Sequence, residues 1–328
     1  MAVIGWAMTM AAAATLGAGV PVEAPGPNGP LAGTLLGEGA GRPVVLIVPG
    51  SGPTDRDGDN PMGIRAAPYR LLAEGLAAEG VASVRIDKRG MFGSAAAIPN
   101  PNAVTMADYA RDIHAWARTI RARTGVPCVW VLGHSEGGLA ALVAAQDPAD
   151  LCGLILVSTA GRPLGQVLRE QIAANPANAP LLPALDAALE LAAAGRTIDP
   201  ATLPAPLASL FPAKLATYWR SVLSYDPATL IAGWRGPALI LQGTRDIQVS
   251  VADSARLAAA NPRAAYRLVA GANHVLKPVG SDDRAANIAT YGDPALPLAP
   301  GFVAPIVALV KGGCRSAPVQ PSGYKAGA

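Results

Sequence analysis

The sequence predicts an α/β domain, a mostly parallel sheet covered by helices on both faces, on three observations. Strand-like and helical patterns alternate along most of the chain, as they do where parallel strands are joined by crossover helices. Residues 43–49, Pro-Val-Val-Leu-Ile-Val-Pro, form a continuous β-branched run of the kind found in strands buried on both faces. Residues 128–132 form another apolar run that breaks at Gly133 into a helical segment starting near Gly137. Ser135 therefore sits on a strand-to-helix hinge with the pattern G-x-S-x-G, whose glycines let backbone and a bound molecule approach the hydroxyl closely.

The elements follow in chain order. Residues 20–24 and 31–36 flank the turn Pro25-Gly26-Pro27-Asn28-Gly29 and predict a hairpin. The strand at 43–49 ends in the loop Gly50-Ser51-Gly52-Pro53-Thr54-Asp55-Arg56-Asp57-Gly58. Tyr69, Leu72 and Leu76 recur at helical spacing within 66–79, and 81–86 is the next strand, followed by Asp87-Lys88-Arg89-Gly90. Thr105 offers an N-cap with Asp108 three residues on, and Tyr109, Ile113, Trp116 and Ile120 mark one face of a helix. After the hinge comes a strand at 153–158. The alternation stops between 160 and 234, where proline-separated segments at 164–174, 181–194 and 213–223 predict short helices inserted into the domain. Strands resume at 237–242 and 266–270, and a last helix spans 302–310. The expected organisation is an apolar leader at 1–19, a core at 20–159 and 235–312, a helical cap at 160–234 and a flexible tail at 313–328.

Composition excludes several classes. With 51% hydrophobic and 15% charged residues the chain is not disordered, and its 36 Gly and 31 Pro imply many turns and no repeat array. A net charge of +3, without clustered Lys/Arg and interleaved aromatics, gives no reason to expect a nucleic-acid partner. Residues 1–22 carry no charged side chain. Residues 8–16 fit the hydrophobic region of a signal peptide, with Leu16-Gly17-Ala18 as a loose cleavage match, or a membrane anchor, although a basic n-region is missing. A periplasmic or secreted protein is the expectation and a cytoplasmic one the alternative; any membrane association is expected through residues 1–22 alone. Cys128 and Cys152 begin neighbouring strands and could meet, but buried free thiols are the expected state of the cysteines, Cys314 included. No Cys/His cluster points to a metal. Asp55, Asp57 and Asp59 alternate as in a calcium loop, but Asn60 stands at the position of the turn glycine and Ala66 at that of the bidentate glutamate.

The chemistry turns on Ser135. A serine hydroxyl needs a base, and the base needs an orienting group. Of three histidines, His134 is expected to point away from Ser135 by strand alternation, and His114 lies mid-helix at its boundary. His274, on a loop after the last strand, lies where parallel-sheet enzymes assemble their sites. Asp246, four residues past a buried strand, is the expected acid, with Asp282 and Asp283 competing. The backbone N–H of Glu136 and that of Ser51 or Gly52 are expected to receive a developing oxyanion. The Glu136 carboxylate would oppose that charge, so it is expected to turn away and pair with Arg56 or Arg89. Arg56, Asp87 and Arg89 are expected to support the loops at this edge.

Gly50-Ser-Gly-Pro-Thr-Asp-Arg-Asp57, Asp87-Lys-Arg-Gly90, Gly133-His-Ser-Glu-Gly-Gly138 and Asn273-His274-Val-Leu-Lys277 together resemble bacterial carboxylesterases of the α/β-hydrolase fold that carry a Gly-Ser-Gly-Pro loop. The likeness runs from about residue 20 to 310. It implies an eight-stranded sheet, a helical cap after the sixth strand, and cofactor-free hydrolysis of short-to-medium acyl esters by water. It also implies Ser135 as nucleophile, Asp246 as acid and His274 as base, in the chain order of α/β-hydrolases.

Overall fold

A computed structural model describes residues 19–37 and 41–313. Residues 1–18 of the expected leader at 1–19, Cys314 and the tail beyond 313 lie outside the described residues. One eight-stranded sheet organises the chain, in the order β1-β2-β4-β3-β5-β6-β7-β8. β1 (Val20–Pro25) and β2 (Pro30–Leu36) form the expected hairpin, and β2 runs antiparallel to β4 (Ala82–Ile86). β3 (Val44–Val48), β5 (Val129–His134), β6 (Leu151–Val157), β7 (Ala238–Gly243) and β8 (Ala265–Val269) complete a parallel array with β4.

The period of two along the central strands divides the core between the sheet's faces. Val44, Leu46 and Val48 of β3 face one apolar cluster with α2 (Met106–Thr124) and α3 (Glu136–Ala144). Val45 and Ile47 face the other, with α1 (Pro68–Ala78) and α11 (Val303–Gly312). α2 starts on the capping box read from Thr105 and Asp108, and buries Tyr109, Ile113, Trp116 and Ile120. Covering both faces is what makes β3, β5 and β7 uninterrupted buried runs.

Between β6 and β7 stand five helices: α4 (Leu164–Ala173), α5 (Leu182–Ala193), α6 (Ala205–Leu210), α7 (Ala216–Leu223) and α8 (Pro227–Gly233). Prolines that read as separators also sit in the first turns of α5, α6 and α8, where a missing N–H costs no hydrogen bond. Leu185, Leu207, Trp219, Val222 and Ile231 are buried in the cluster shared with α2 and α3. Arg162 ties the insertion to the core, holding Asp253 of α9 (Val251–Ala260) at 2.7 Å and also reaching Glu170 of α4. α10 (Arg284–Ala289) lies before α11.

The thiol expectation fails. Cys128 and Cys152 form a disulfide, with Cα atoms 5.1 Å apart, and both side chains lie in half-buried residues. The cause is register: Val129 pairs with Leu151 and Trp130 with Gly153, so Cys152 is skipped beside the start of β5. Among the described residues no helix is long and apolar enough to cross a membrane.

Candidate active site

Five loops at the carboxyl ends of β3, β4, β5, β7 and β8 converge on Ser135. The residue has φ 54° and ψ −120° between β5 and α3, a left-handed φ that L side chains rarely adopt. The flanking glycines make this turn possible. A Cβ on Gly133 would lie 2.2 Å from the Gly137 carbonyl oxygen, and one on Gly137 would lie 2.3 Å from that of Val48. α3 begins one residue earlier than the sequence suggests, at Glu136, which puts the Glu136 N–H among the first-turn donors lacking an intrahelical acceptor.

His274 and Asp246 meet as expected, with Nδ1 2.9 Å from Asp246 Oδ2. The carboxylate is held on every side: Oδ1 accepts the N–H groups of Gln248 and Val249 at 2.8 and 2.9 Å, and Oδ2 also accepts from Gln242 Nε2 at 3.2 Å. Burial pushes the Asp246 carboxyl up, but His274 and the two backbone donors outweigh it and hold the group below its usual range. An ionised Asp246 accepts a hydrogen bond from Nδ1–H and leaves Nε2 of His274 with its lone pair free. Asp282 and Asp283 do other work: Asp282 is highly exposed, 3.4 Å from Arg245, and Asp283 caps α10.

His134 points away from the hydroxyl, as alternation requires, and both its ring nitrogens are engaged. Nδ1 lies 2.9 Å from the Tyr69 hydroxyl and Nε2 2.8 Å from the His274 carbonyl oxygen. Because Tyr69 Oη accepts the Gly50 N–H at 3.0 Å, its own proton goes to Nδ1, and Nε2–H donates to His274. Burial, with the His274 ring second, lowers the His134 pKa to about 3, so the ring is a neutral strut. It joins the residue before Ser135 to the His274 loop, and the two imidazoles lie 4.8 Å apart, centre to centre. Among the described residues no hydrogen bond joins Ser135 Oγ to His274. His114 is a helix-boundary residue, 3.1 Å from the Ala144 carbonyl oxygen.

The loop after β3 reaches the same place. A Cβ on Gly50 would lie 3.3 Å from both Ser135 Cβ and His134 Nδ1, so the N–H groups of Ser51 and Gly52 follow directly beside the hinge. Glu136 does turn away, but to partners other than those expected. Its Oε1 is 3.1 Å from Lys88 Nζ and its Oε2 accepts from the Tyr218 hydroxyl of α7. Arg56 is committed to Asp87 at 2.5 Å, and Arg89 to Asp112 at 2.6 Å and Asp108 at 2.9 Å. Each guanidinium has a nearer carboxylate in its own neighbourhood, which leaves Glu136 to the buried ammonium of Lys88. Asp87 also accepts the N–H groups of Arg56 and Gly93 at 2.9 Å each, pinning the Gly50 loop to β4. The aspartates of the calcium-like stretch are engaged internally. Asp55 accepts three backbone N–H groups, Asp57 pairs with Arg85, and Asp59 accepts from Ala67. Among the described residues no group of three His, Cys, Asp or Glu is arranged to hold a metal.

Four residues at this site, Lys88, Tyr69, Tyr218 and Gln242, escaped the sequence reading. Lys88 stood in a motif already singled out, between two charged residues that drew the attention, and Tyr69 read as an apolar helix-face residue. Nothing in the sequence pairs Tyr218 with Glu136, 82 positions away.

The family described as Hydrolase_4, serine aminopeptidase S33, matches residues 62–277. The chain belongs to this family. Esterase EstD of Thermotoga maritima is 27% identical over 224 residues, covering 64% of this α/β-hydrolase and 48% of EstD. The chain thus spans about half the length of that curated relative. Two solved structures share the fold. The Pyrococcus furiosus esterase PF2001 has a TM-score of 0.54 at 16% identity, covering 80% of this chain and 84% of its own. A thermophilic esterase from Thermogutta terrifontis has 0.51 at 20%, covering 78% and 92%.

Proposed function

We propose that this α/β-hydrolase is a serine carboxylesterase that cleaves esters of short-to-medium acyl chains through an acyl-enzyme on Ser135. One observation carries the reading: the Asp246–His274 hydrogen bond stands at the carboxyl edge of the sheet, and His134, the residue preceding Ser135, ties the His274 loop to the hinge. His274 Nε2 takes the Ser135 proton as Oγ attacks the ester carbonyl, in a bond that tightens in the substrate complex. Asp246 stabilises the imidazolium that forms. The N–H groups of Glu136 and of Ser51 or Gly52 receive the oxyanion. His274 then protonates the leaving alcohol, and the same ring activates water to release the acid.

The five helices between β6 and β7 act as a cap in this account, and their apolar side chains favour an acyl group. The family's description names aminopeptidases, which would need a buried acid in the cap to hold a substrate ammonium. Glu170 and Asp186 instead sit in surface pairs with Arg162 and Arg169, and Glu190 is exposed, which favours esters. The disulfide and the uncharged leader together support an oxidising compartment, periplasmic or secreted.

A panel of aryl esters of increasing chain length, acyl thioesters and aminoacyl amides tests the reading, with Ser135→Ala beside the wild type. Ester turnover is expected to be fastest on short-to-medium chains and to fall by on the order of 10⁴ or more in the variant. Selective thioester or amide cleavage overturns the substrate assignment, and equal turnover by Ser135→Ala overturns the nucleophile.

A further inference from the structure

Lys88 is an unusual residue to find in this position. Its side chain is 3% exposed, and an ammonium removed from water is costly unless every donor is met. Here two hydrogen-bond acceptors and the face of an aromatic ring surround it. The Gly50 carbonyl oxygen lies at 2.6 Å, Glu136 Oε1 at 3.1 Å, and the face of the Tyr109 ring at 5.2 Å from Nζ to centroid. Two of these belong to the two chain segments that supply the oxyanion donors. A fold needing only stability would do as well with an apolar residue here, so the charge calls for a reason at the site itself.

The peptide geometry supplies one. The Gly50 carbonyl and the Ser51 N–H belong to one planar trans peptide and point in opposite directions. Fixing the carbonyl on Lys88 therefore fixes the direction of the Ser51 N–H. The preceding N–H, that of Gly50, is held from the other side by Tyr69. With Gly50 so near Ser135 that an added Cβ would lie 3.3 Å from the serine Cβ, rotation of this peptide is what would decide whether an N–H or a carbonyl oxygen faces the reacting centre. A cation on the carbonyl also polarises the peptide and strengthens its N–H as a donor. The second bond of Lys88 holds the carboxylate of Glu136, the residue next to Ser135.

We propose that Lys88 is a positioning residue of the oxyanion hole: by holding the Gly50 carbonyl and the Glu136 carboxylate together, it aims the Ser51 N–H at the oxyanion and selects Ser51 over Gly52 as the second donor. The assignment rests on the serine-esterase reading above. It differs from a charge-neutralising role, in which Lys88 would serve only to compensate Glu136.

The test measures kcat and KM on a short-chain aryl ester for Lys88→Met in the wild-type and in the Glu136→Gln background, with Lys88→Gln as the variant that keeps a donor of similar reach. Loss of an aimed oxyanion donor costs about 10²-fold in kcat. That loss is expected from Lys88→Met in both backgrounds, with KM changed by less than about threefold, because the donor acts on the transition state more than on the bound ester. Lys88→Gln is expected to fall between wild type and Lys88→Met. If the loss vanishes in the Glu136→Gln background, Lys88 merely neutralises a carboxylate and the proposal fails. It fails also if the loss lies wholly in KM, or if Lys88→Gln turns over no faster than Lys88→Met. A wild-type protein that hydrolyses no ester removes the esterase reading and this proposal together, whereas an active wild type with an equally active Lys88→Met removes this proposal alone.

Discussion

The two sides of Ser135 are built differently. On one side, Asp246 and His274 come from the last two strands of the sheet, and Asp246 is braced by Gln242, Gln248 and Val249, residues within four positions of it. On the other side, the Gly50 loop, Lys88, Glu136 and Tyr218 come from four separate elements and meet through buried charges. The first side is a local construction that needs only the sheet to form. The second exists only when β3, β4, α3 and the inserted helices are all in place. In the proposed reading a sheet rim thus carries the proton-transfer machinery almost by itself, while the charge-stabilising machinery depends on long-range assembly.

The largest expected effect breaks the first side alone. Asp246→Asn presents an amide N–H or a weaker acceptor to Nδ1 and disfavours the tautomer that frees Nε2, so kcat on an aryl ester is expected to fall by about 10⁴. Circular dichroism should show the fold retained, since Gln248 and Val249 still have an acceptor at this position. A loss of tenfold or less would mean that Asp246 does not orient the base.

The next effect concerns neither side. The disulfide closes 24 residues of chain at the amino ends of β5 and β6, the opposite end of the sheet from Ser135. Cys128→Ala with Cys152→Ala is expected to lower unfolding free energy by about 3 kcal/mol in a denaturant titration, with ester turnover per folded molecule unchanged. A fall in kcat would show that the two ends of these strands are coupled.

Tyr218→Phe probes the long-range side. It leaves Glu136 Oε2, on a buried side chain, without its donor, and the expected loss is about 2 kcal/mol of stability. Near-ultraviolet circular dichroism of the Trp219 region should change with it, because Tyr218 and Trp219 pack edge to face at 5.4 Å. Unaltered stability would mean that the insertion does not depend on this contact.

The last effect is in pH dependence, where the change within any one pH unit is smaller than those above. The His134 pKa drops from 6.5 in an unfolded chain to about 3 in the folded one. Between these values the unfolded chain binds a proton that the folded chain does not, so stability falls as pH falls, by roughly 1.4 kcal/mol per pH unit at most. His134→Gln should flatten the acid limb of the stability curve by an amount of this order within that window, and no difference between the curves would mean that the ring protonates in place.

What could be read in the sequence follows the same division. Ser135, Asp246 and His274 are legible because each sits just past an apolar run, and a parallel sheet sends all such positions to one edge. The direction of His134 followed from strand alternation, and the capping box of α2 from Thr105 and Asp108. The partners of Glu136 were misjudged because choosing among Arg56, Lys88 and Arg89 requires knowing which carboxylates each already holds. Asp108 and Asp112 claim Arg89 from one face of α2, a competition that no local pattern displays. The disulfide was misread for a related reason, since strand adjacency was anticipated but the register shift at Val129 was not. The helices α6, α8 and α10 were too short to mark a face, and α9 buries Asp253 and Ser254 beside Leu257, so its inner face does not read as apolar.

The central claim is that Ser135 is a nucleophile activated by His274. Incubation with an alkyl fluorophosphonate followed by mapping of the modified peptide tests it most directly. The account predicts one adduct, on Ser135, forming rapidly in the wild type and at least about 10³-fold more slowly in His274→Ala. A folded wild-type protein that takes no label, or one labelled at another residue, would contradict it.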